Sequence, residues 1–338
     1  MERILVPLDG SDLSELALPY ASFYGKLLKA DVSLLHVITE GDQHDFVIER
    51  ERISRINTPA GPIATDAKQA LEQHSAAYLA EQAEPLRTQG LHVQTEVSFG
   101  VPAATIITAA EHGANTWIIM ATHGRGSLGR WLVGSVAHKV LRKTTLPLLA
   151  VRGPAPEPFA LRRIMVPLDG SAQARDALVP ALDLAHRAGA ALVLLTVLPP
   201  RLALDPSIMP PVNERTLGEL RERLLHEVDD LALESQGVPI TTVASEGLVG
   251  DTVSREAERQ DIDLIVMTTH ASGGRHLSAL GNLIVMTTHA SGGRHLSALG
   301  NVTDNVLHST RVPILIIANS LMESAVSGSR SEASHLSG

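Results

Sequence analysis

The hexapeptide VPLDGS occurs twice, at Val6–Ser11 and at Val166–Ser171, an offset of 160 residues. Each copy follows an arginine and an apolar run, giving RILVPLDGS and RIMVPLDGS. Such a run reads as a strand buried on both faces, and the Asp-Gly-Ser after it reads as a turn into a helix. Apolar residues then recur at helical spacing: Leu13, Leu16, Ala17, Tyr20 and Ala21 in one copy, Ala174, Ala177, Leu178, Ala181 and Leu182 in the other. Pro19 and Pro180 fall inside these stretches, where a missing N–H and a ring clash predict a kink.

The two halves continue in parallel. VSLLHV (Val32–Val37) matches ALVLLTV (Ala191–Val197), and HVQTEV (His92–Val97) matches VPITTV (Val238–Val243). WIIMATHG (Trp117–Gly124) matches LIVMTTHA (Leu264–Ala271), and LPLLAVR (Leu146–Arg152) matches VPILIIA (Val312–Ala318). Helical patterns such as Asp66–Arg87 and Asn213–Ser235 lie between the strands. Five apolar strands alternating with helices predict a doubly wound α/β fold, because parallel crossovers need helices on both faces of an open sheet. The predicted organisation is two tandem Rossmann-like domains, 1–152 and 161–318, joined by the Pro-rich linker GPAPEPFA at 153–160. Residues 319–338 are rich in Ser and Gly with little to bury, and read as a disordered tail.

Composition narrows the partners. Hydrophobic residues make up 44% and aromatics only 3%, so the cores must be built from Leu, Val, Ile and Ala. A net charge of −9 argues against nucleic-acid or anionic-membrane binding, both of which need a basic face. With no cysteine, disulfides and thiolate metal sites are impossible, and a reducing cytoplasm is the expected location. The N-terminal MERILVPLDG has no signal-peptide apolar region, and the longest apolar run, around Ala190–Leu198, is too short to span a bilayer.

One segment departs from the twofold pattern. LIVMTTHASGGRHLSALGN runs from Leu264 to Asn282 and again, unchanged, from Leu283 to Asn301. Met120 to Met267 is 147 positions, but Pro147 to Pro313 is 166, so one extra copy of 19 residues accounts for the difference. The first copy is joined correctly to the preceding helix through Asp261-Ile262-Asp263, the second to the following helix, Val302–Ser309. Either LIVM fits the fourth-strand slot, and identical letters do not choose between them. The unused copy must be looped out or added at an edge, where an apolar strand is an aggregation hazard.

In open sheets of this kind ligands bind at the carboxyl ends of the strands, where the strand order reverses. That places the crevice between Asp9 and the loop ATHGRGSLGRWLVGS that follows Met120. Gly124, Gly126 and Gly129 permit close backbone approach. Gly134-Ser135 opens a helix whose free N–H groups suit a phosphate, with Arg125 and Arg130 adding charge. Structural readings stand beside these: Asp9 and Ser11 as turn and N-cap, the glycines as an ordinary turn, His123 as a turn histidine, the arginines as solvated. Fifteen histidines without ligand spacing predict no metal site.

The strand ending in VPLDGS, the later His36-Val37 and the Gly-x2-Gly-x9-Gly-Ser/Thr type of loop resemble the universal stress protein family, and both halves carry the pattern. The resemblance implies an adenine-nucleotide-binding fold of strand order 3-2-1-4-5, with the two domains paired through their last strands. A homodimer is compatible with it. It implies ATP, with Mg²⁺ accompanying it, in members that keep the glycines and none in members that lose them. The matching positions are Pro7, Leu8, Asp9, Val37, Ala121, His123, Gly124, Arg125, Gly134 and Ser135. Among these Asp9 would contact the adenosine and the Val37 backbone would face the adenine. Ala121 stands where the binding pattern has glycine, so weakened phosphate binding is expected. In the second half Asp169 and Val197 remain, but Thr268 and Ala271 replace both glycines, and Gly281-Asn282 takes the place of Gly-Ser/Thr. The second half is therefore expected to be a degenerate partner. The resulting expectation is a nucleotide-binding regulatory stress module, with a non-binding structural protein and a slow ATPase as alternatives. No Walker lysine and no carboxylate pair for Mg²⁺ is evident.

Overall fold

The computed structural model describes residues 2–42, 63–112, 117–122, 134–198, 218–219, 222, 237–269, 277–280, 283–286 and 301–318. The chain divides into two compact units. Of the described residues, one comprises those up to Thr122 with Gly134–Leu146 and Gly153–Ala155; the other comprises Pro147–Arg152 and those from Pro156 onward.

In the first unit the elements run β1 (Arg3–Leu8), α1 (Asp12–Glu15), α2 (Ala17–Leu28), β2 (Asp31–Ile38), α3 (Ile63–Thr88), β3 (Val93–Phe99), α4 (Pro102–His112), β4 (Trp117–Ala121) and α5 (Ser135–Lys143). Its strands lie in the order β3-β2-β1-β4, and every pairing is parallel. β1 is central, which is why Ile4, Leu5 and Val6 are all buried and why its sequence shows no polar alternation. The kink expected at Pro19 is a full break. Helix α1 stops at Glu15, the residue whose carbonyl the proline ring would strike, and α2 restarts so that Pro19 sits in its first turn, where no N–H is needed. Pro180 does the same between α6 and α7 of the second unit (Ala172–Arg175 and Leu178–Ala188).

Tyr20 of α2 is buried, and that burial pushes its phenol up to about 12. An acid whose folded pKa lies above its unfolded value favours the fold below the unfolded pKa and loses that contribution as pH rises through the folded one. Stability is therefore expected to fall by about 2 kcal/mol between roughly pH 10 and 12 on account of this group. Urea midpoints across that window should decline less steeply in Tyr20→Phe.

The second unit contains β5 (Leu148–Val151), β6 (Arg163–Pro167), α6, α7, β7 (Ala191–Leu198), β8 (Ile240–Glu246), α8 (Val249–Arg259), β9 (Leu264–Thr269), β10 (Leu277–Leu280), β11 (Leu283–Met286), α9 (Asn301–Ser309) and β12 (Ile314–Ala318). Its main sheet runs β8-β7-β6-β9-β12-β5. The five strands of the second half thus take the order 3-2-1-4-5, all parallel, and β5 adds antiparallel to β12. Arg152, just beyond β5, is buried and donates through Nη1 to the Thr310 carbonyl at 3.3 Å. Burial lowers its pKa to about 10, opposed by the nearby charge of Asp304.

The duplicated segment is resolved in favour of its first copy. Leu264–Thr269 fills the slot between β6 and β12 as β9, whereas Leu283–Met286 forms β11 in a separate antiparallel pair with β10. The reason lies outside the repeat. The Asp263 Oδ2 accepts from the backbone N–H groups of Arg162 at 2.8 Å and Arg163 at 3.0 Å, and the Asp263 N–H donates to the Arg163 carbonyl at 3.0 Å. Ile262 is buried, and its N–H closes the end of α8 on the Ala257 carbonyl. The second copy is preceded by Gly281-Asn282, which supplies neither a carboxylate nor an apolar side chain.

Candidate functional site

In the first unit three adjacent strands end together. Leu8 pairs with His36, placing the end of β1 beside the His36-Val37 pair of β2. β1 and β4 pair as Ile4 with Trp117 and Leu5 with Ile118, and continuing that register brings Leu8 level with Ala121. Pro7 and Leu8 are buried in the strand and Val37 is half-buried, while Asp9 stands just beyond, exposed. Ala121 ends β4, half-buried, and the buried Thr122 follows. Gly134, with φ −60° and ψ 150°, forms the N-cap of α5, and Ser135 is its exposed first residue; no side chain caps this helix. His123, Gly124 and Arg125, with Gly126, Gly129 and Arg130, lie outside the described residues.

The turn after β1 is built on Gly10 at φ +81°, a left-handed conformation that favours glycine. It lets the chain reverse so that Ser11 becomes the N-cap of α1, its hydroxyl accepting from the Ser14 N–H at 3.2 Å. The Asp9 Oδ1 in turn accepts from the Ser11 N–H at 3.0 Å and from the Ser11 hydroxyl. Burial pulls the Asp9 carboxyl upward, but the bonds from Ser11, then Ser14 and its own backbone, outweigh this and hold it below its ordinary value. Asp9 is therefore an ionised, oriented acceptor at neutral pH. The turn and N-cap roles foreseen for Asp9 and Ser11 are both present, and they preorganise the carboxylate.

Around Asp9 the structure adds residues that the sequence reading passed over. The Tyr78 hydroxyl, from the middle of α3, donates to the Glu15 Oε1 at 3.0 Å. The Ser14 hydroxyl accepts from the Asp9 N–H at 3.3 Å and donates to the Ser11 carbonyl at 2.9 Å. The His36 ring meets the Tyr78 ring edge-on, centroids 6.0 Å apart, and its buried Nδ1 has no hydrogen-bond partner among the described residues. Burial, then the bond to Glu15 and its charge, push the Tyr78 phenol well up, with the Asp9 charge adding to the effect. The phenol thus remains a donor. Tyr78 is one of only three tyrosines, the one sequence signal that could have drawn attention to it.

The corresponding place in the second half is plainer. Gly170 keeps the left-handed turn at φ +79°, and Asp169 accepts from the Ser171 N–H at 2.9 Å. Thr196 stands where His36 does in LLHV, and its hydroxyl is satisfied by the Leu168 carbonyl at 3.1 Å. Thr268, in place of Ala121, accepts through its carbonyl from the Thr303 hydroxyl at 3.3 Å. The loop spacing is also changed. Ala121 to Gly134 is 13 positions, whereas strand β9 comes from the first copy and α9 opens on Asn301 of the second, so Thr268 to Gly300 is 32 positions. This helix therefore opens on Asn301 of the second copy, and Gly281-Asn282 lies outside the described residues.

Among the described residues no three His, Asp or Glu side chains are grouped to hold a metal ion, and no helix is long and apolar enough to cross a membrane.

The profile of the universal stress protein family matches residues 1–152 and 160–282. Universal stress protein MJ0577 of Methanocaldococcus jannaschii is 28% identical over 153 residues, covering 45% of this chain and 94% of that protein. A universal stress protein of Mycolicibacterium smegmatis is 30% identical over 201 residues, 57% of this chain and 63% of its own. The crystal structure of a universal stress protein from Archaeoglobus fulgidus aligns with a TM-score of 0.62 over 94% of this chain and 98% of that one, at 18% identity, a likeness of fold. Matched in both of its halves, this chain belongs to the universal stress protein family.

Proposed function

We propose that the first half, residues 1–152, binds ATP at the carboxyl ends of β1, β2 and β4, and that the second half, residues 161–318, is a pseudo-symmetric partner that binds none. The observation that carries this reading is Asp9: an exposed carboxylate, kept ionised and fixed by Ser11, at the end of the central strand and level with the start of the β4–α5 connection. It suits the hydroxyl and amino donors of a nucleoside. Gly134 and Ser135 begin an uncapped helix on the same connection, whose N–H groups suit the phosphates. His123, Gly124 and Arg125 would complete the phosphate loop, and Mg²⁺ would accompany the triphosphate. The Ala121 methyl weakens the site without closing it. In the second half two lost glycines and a loop longer by 19 residues work against binding. Bound ATP would act as a regulatory signal by favouring whichever conformation holds it more tightly.

Denaturing the purified full-length protein and identifying the released small molecules by chromatography and mass spectrometry tests this. ATP at about one per chain is expected, and Gly124→Trp should weaken ATP binding at least about tenfold, since indole would occupy the phosphate space. Two ATP per chain would remove the distinction between the halves. ADP with turnover would favour a slow ATPase, and nothing across repeated preparations a purely structural role.

A further inference from the structure

We infer that Tyr78, Glu15 and Ser14 form a positioning network that sets how firmly the Asp9 carboxylate grips the nucleoside, and that the network is confined to the first half. The inference rests on the ATP site proposed above and adds to it three residues that are not among the ten matching positions named in the sequence.

Two sets of hydrogen bonds meet on adjacent residues of α1. Ser14 donates its hydroxyl to the Ser11 carbonyl at 2.9 Å and accepts from the Asp9 N–H at 3.3 Å, tying the first turn of α1 to the end of β1. Glu15, next along α1, accepts from the Tyr78 hydroxyl at 3.0 Å across 63 residues of sequence. Tyr78 also packs edge-on against His36, the residue paired with Leu8 at the end of β1. One side chain of α3 thus touches the elements that carry Asp9 and Val37. Because the phenol stays protonated, it donates to Glu15, while the neighbouring Ser14 gives its one proton to the Ser11 carbonyl and accepts from the Asp9 N–H. Linked hydroxyls and carboxylates of this sort hold a geometry more firmly than any one bond does.

The molecule supplies its own comparison. At the offset of 160 residues, Asp9, Gly10 and Ser11 recur as Asp169, Gly170 and Ser171, but Ser14 becomes Ala174 and Glu15 becomes Arg175. His36 is replaced by Thr196, which is satisfied within its own strand pair. The turn is retained in both halves, so the turn itself does not require Ser14 or Glu15. They are present only in the half that keeps the spacing of the phosphate loop.

The test uses the full chain and isothermal titration with two probes, ATP and inorganic tripolyphosphate. Tyr78→Phe and Glu15→Gln keep the packing and remove one hydrogen-bonding partner each. Both are expected to weaken ATP binding about fivefold, the size of one ordinary hydrogen bond. Tripolyphosphate binding should be unchanged. In Asp9→Asn, adding Tyr78→Phe should cost little more, because both changes act through the same carboxylate. Equal weakening of ATP and tripolyphosphate, or fully additive losses with Asp9→Asn, would overturn the network and leave the ATP site standing. ATP affinity unchanged in both variants would do the same. If the unaltered chain binds no ATP, the site reading fails and this inference falls with it.

Discussion

In a chain lacking residues 283–301, Asp263→Ala is expected to destabilise the second unit by about 3 kcal/mol, at the high end for a single polar substitution. The Asp263 side chain is only 12% exposed, and its Oδ2 accepts from two consecutive backbone N–H groups, those of Arg162 and Arg163. Removing it strands both donors at the start of β6, the central strand of that sheet. Asp263→Asn keeps one acceptor oxygen without the charge and should cost about 1 kcal/mol. Urea midpoints at constant slope would measure both. The same substitution also bears on the choice between copies. In a chain lacking residues 283–301 the full loss should appear. In the duplicated chain the loss is limited, because Asn282 can present Leu283–Thr288 to the slot as the Asp263→Asn chain presents Leu264–Thr269. A loss equally large in both backgrounds would show that the second copy does not compete for the slot.

The second large effect is expected at the contact between α8 and α9. A Cβ on Gly250 would meet the Asn305 Cβ at 2.9 Å, its carbonyl carbon at 3.2 Å and its carbonyl oxygen at 3.3 Å. Two of these are backbone atoms of a helix that cannot swing aside as a side chain would. Gly250→Leu must part the two helices, and should destabilise the unit by about 3 kcal/mol as overpacking. Gly250→Ala should cost less, because gained helix propensity of about 1 kcal/mol offsets part of the clash. At the matching offset of 147 the first half has Ala103, itself buried, so the corresponding helices there already accommodate a Cβ. Thermal and urea denaturation of the two variants would separate clash from propensity.

The sheet was legible from sequence because buried parallel strands write themselves as unbroken apolar runs. RILVPL and RIMVP needed no alignment to be placed at the centre of their sheets. The helix breaks at Leu16 and Ala177 were half-legible, since proline announces a disturbance without saying whether the helix bends or restarts. The choice between repeat copies could not be read from the repeat, because it is made by Ile262 and Asp263 immediately before it. At the site, Asp9 was legible because its turn chemistry is local: Gly10 and Ser11 follow directly. Tyr78 was not, since an amphipathic helix with a tyrosine on it looks the same whether that tyrosine fills a core or reaches a carboxylate 63 residues back at Glu15.

The connection from β9 to α9 has a further consequence. It comprises residues 270–300, 31 in all, where the connection from β4 to α5 comprises residues 122–134, which is 13. Loop-closure entropy grows only with the logarithm of length, so the excess costs about 0.8 kcal/mol. The folding equilibrium therefore barely registers a whole additional strand sequence at this point. Identical letters in the two copies consequently carry unequal constraint: Val266 is sealed in the sheet, whereas its counterpart Val285 belongs to a strand outside it. Substitutions would accumulate freely in Leu283–Thr288 while being purged from Leu264–Thr269, making the spare strand a reservoir of variation that the fold carries at almost no thermodynamic disadvantage.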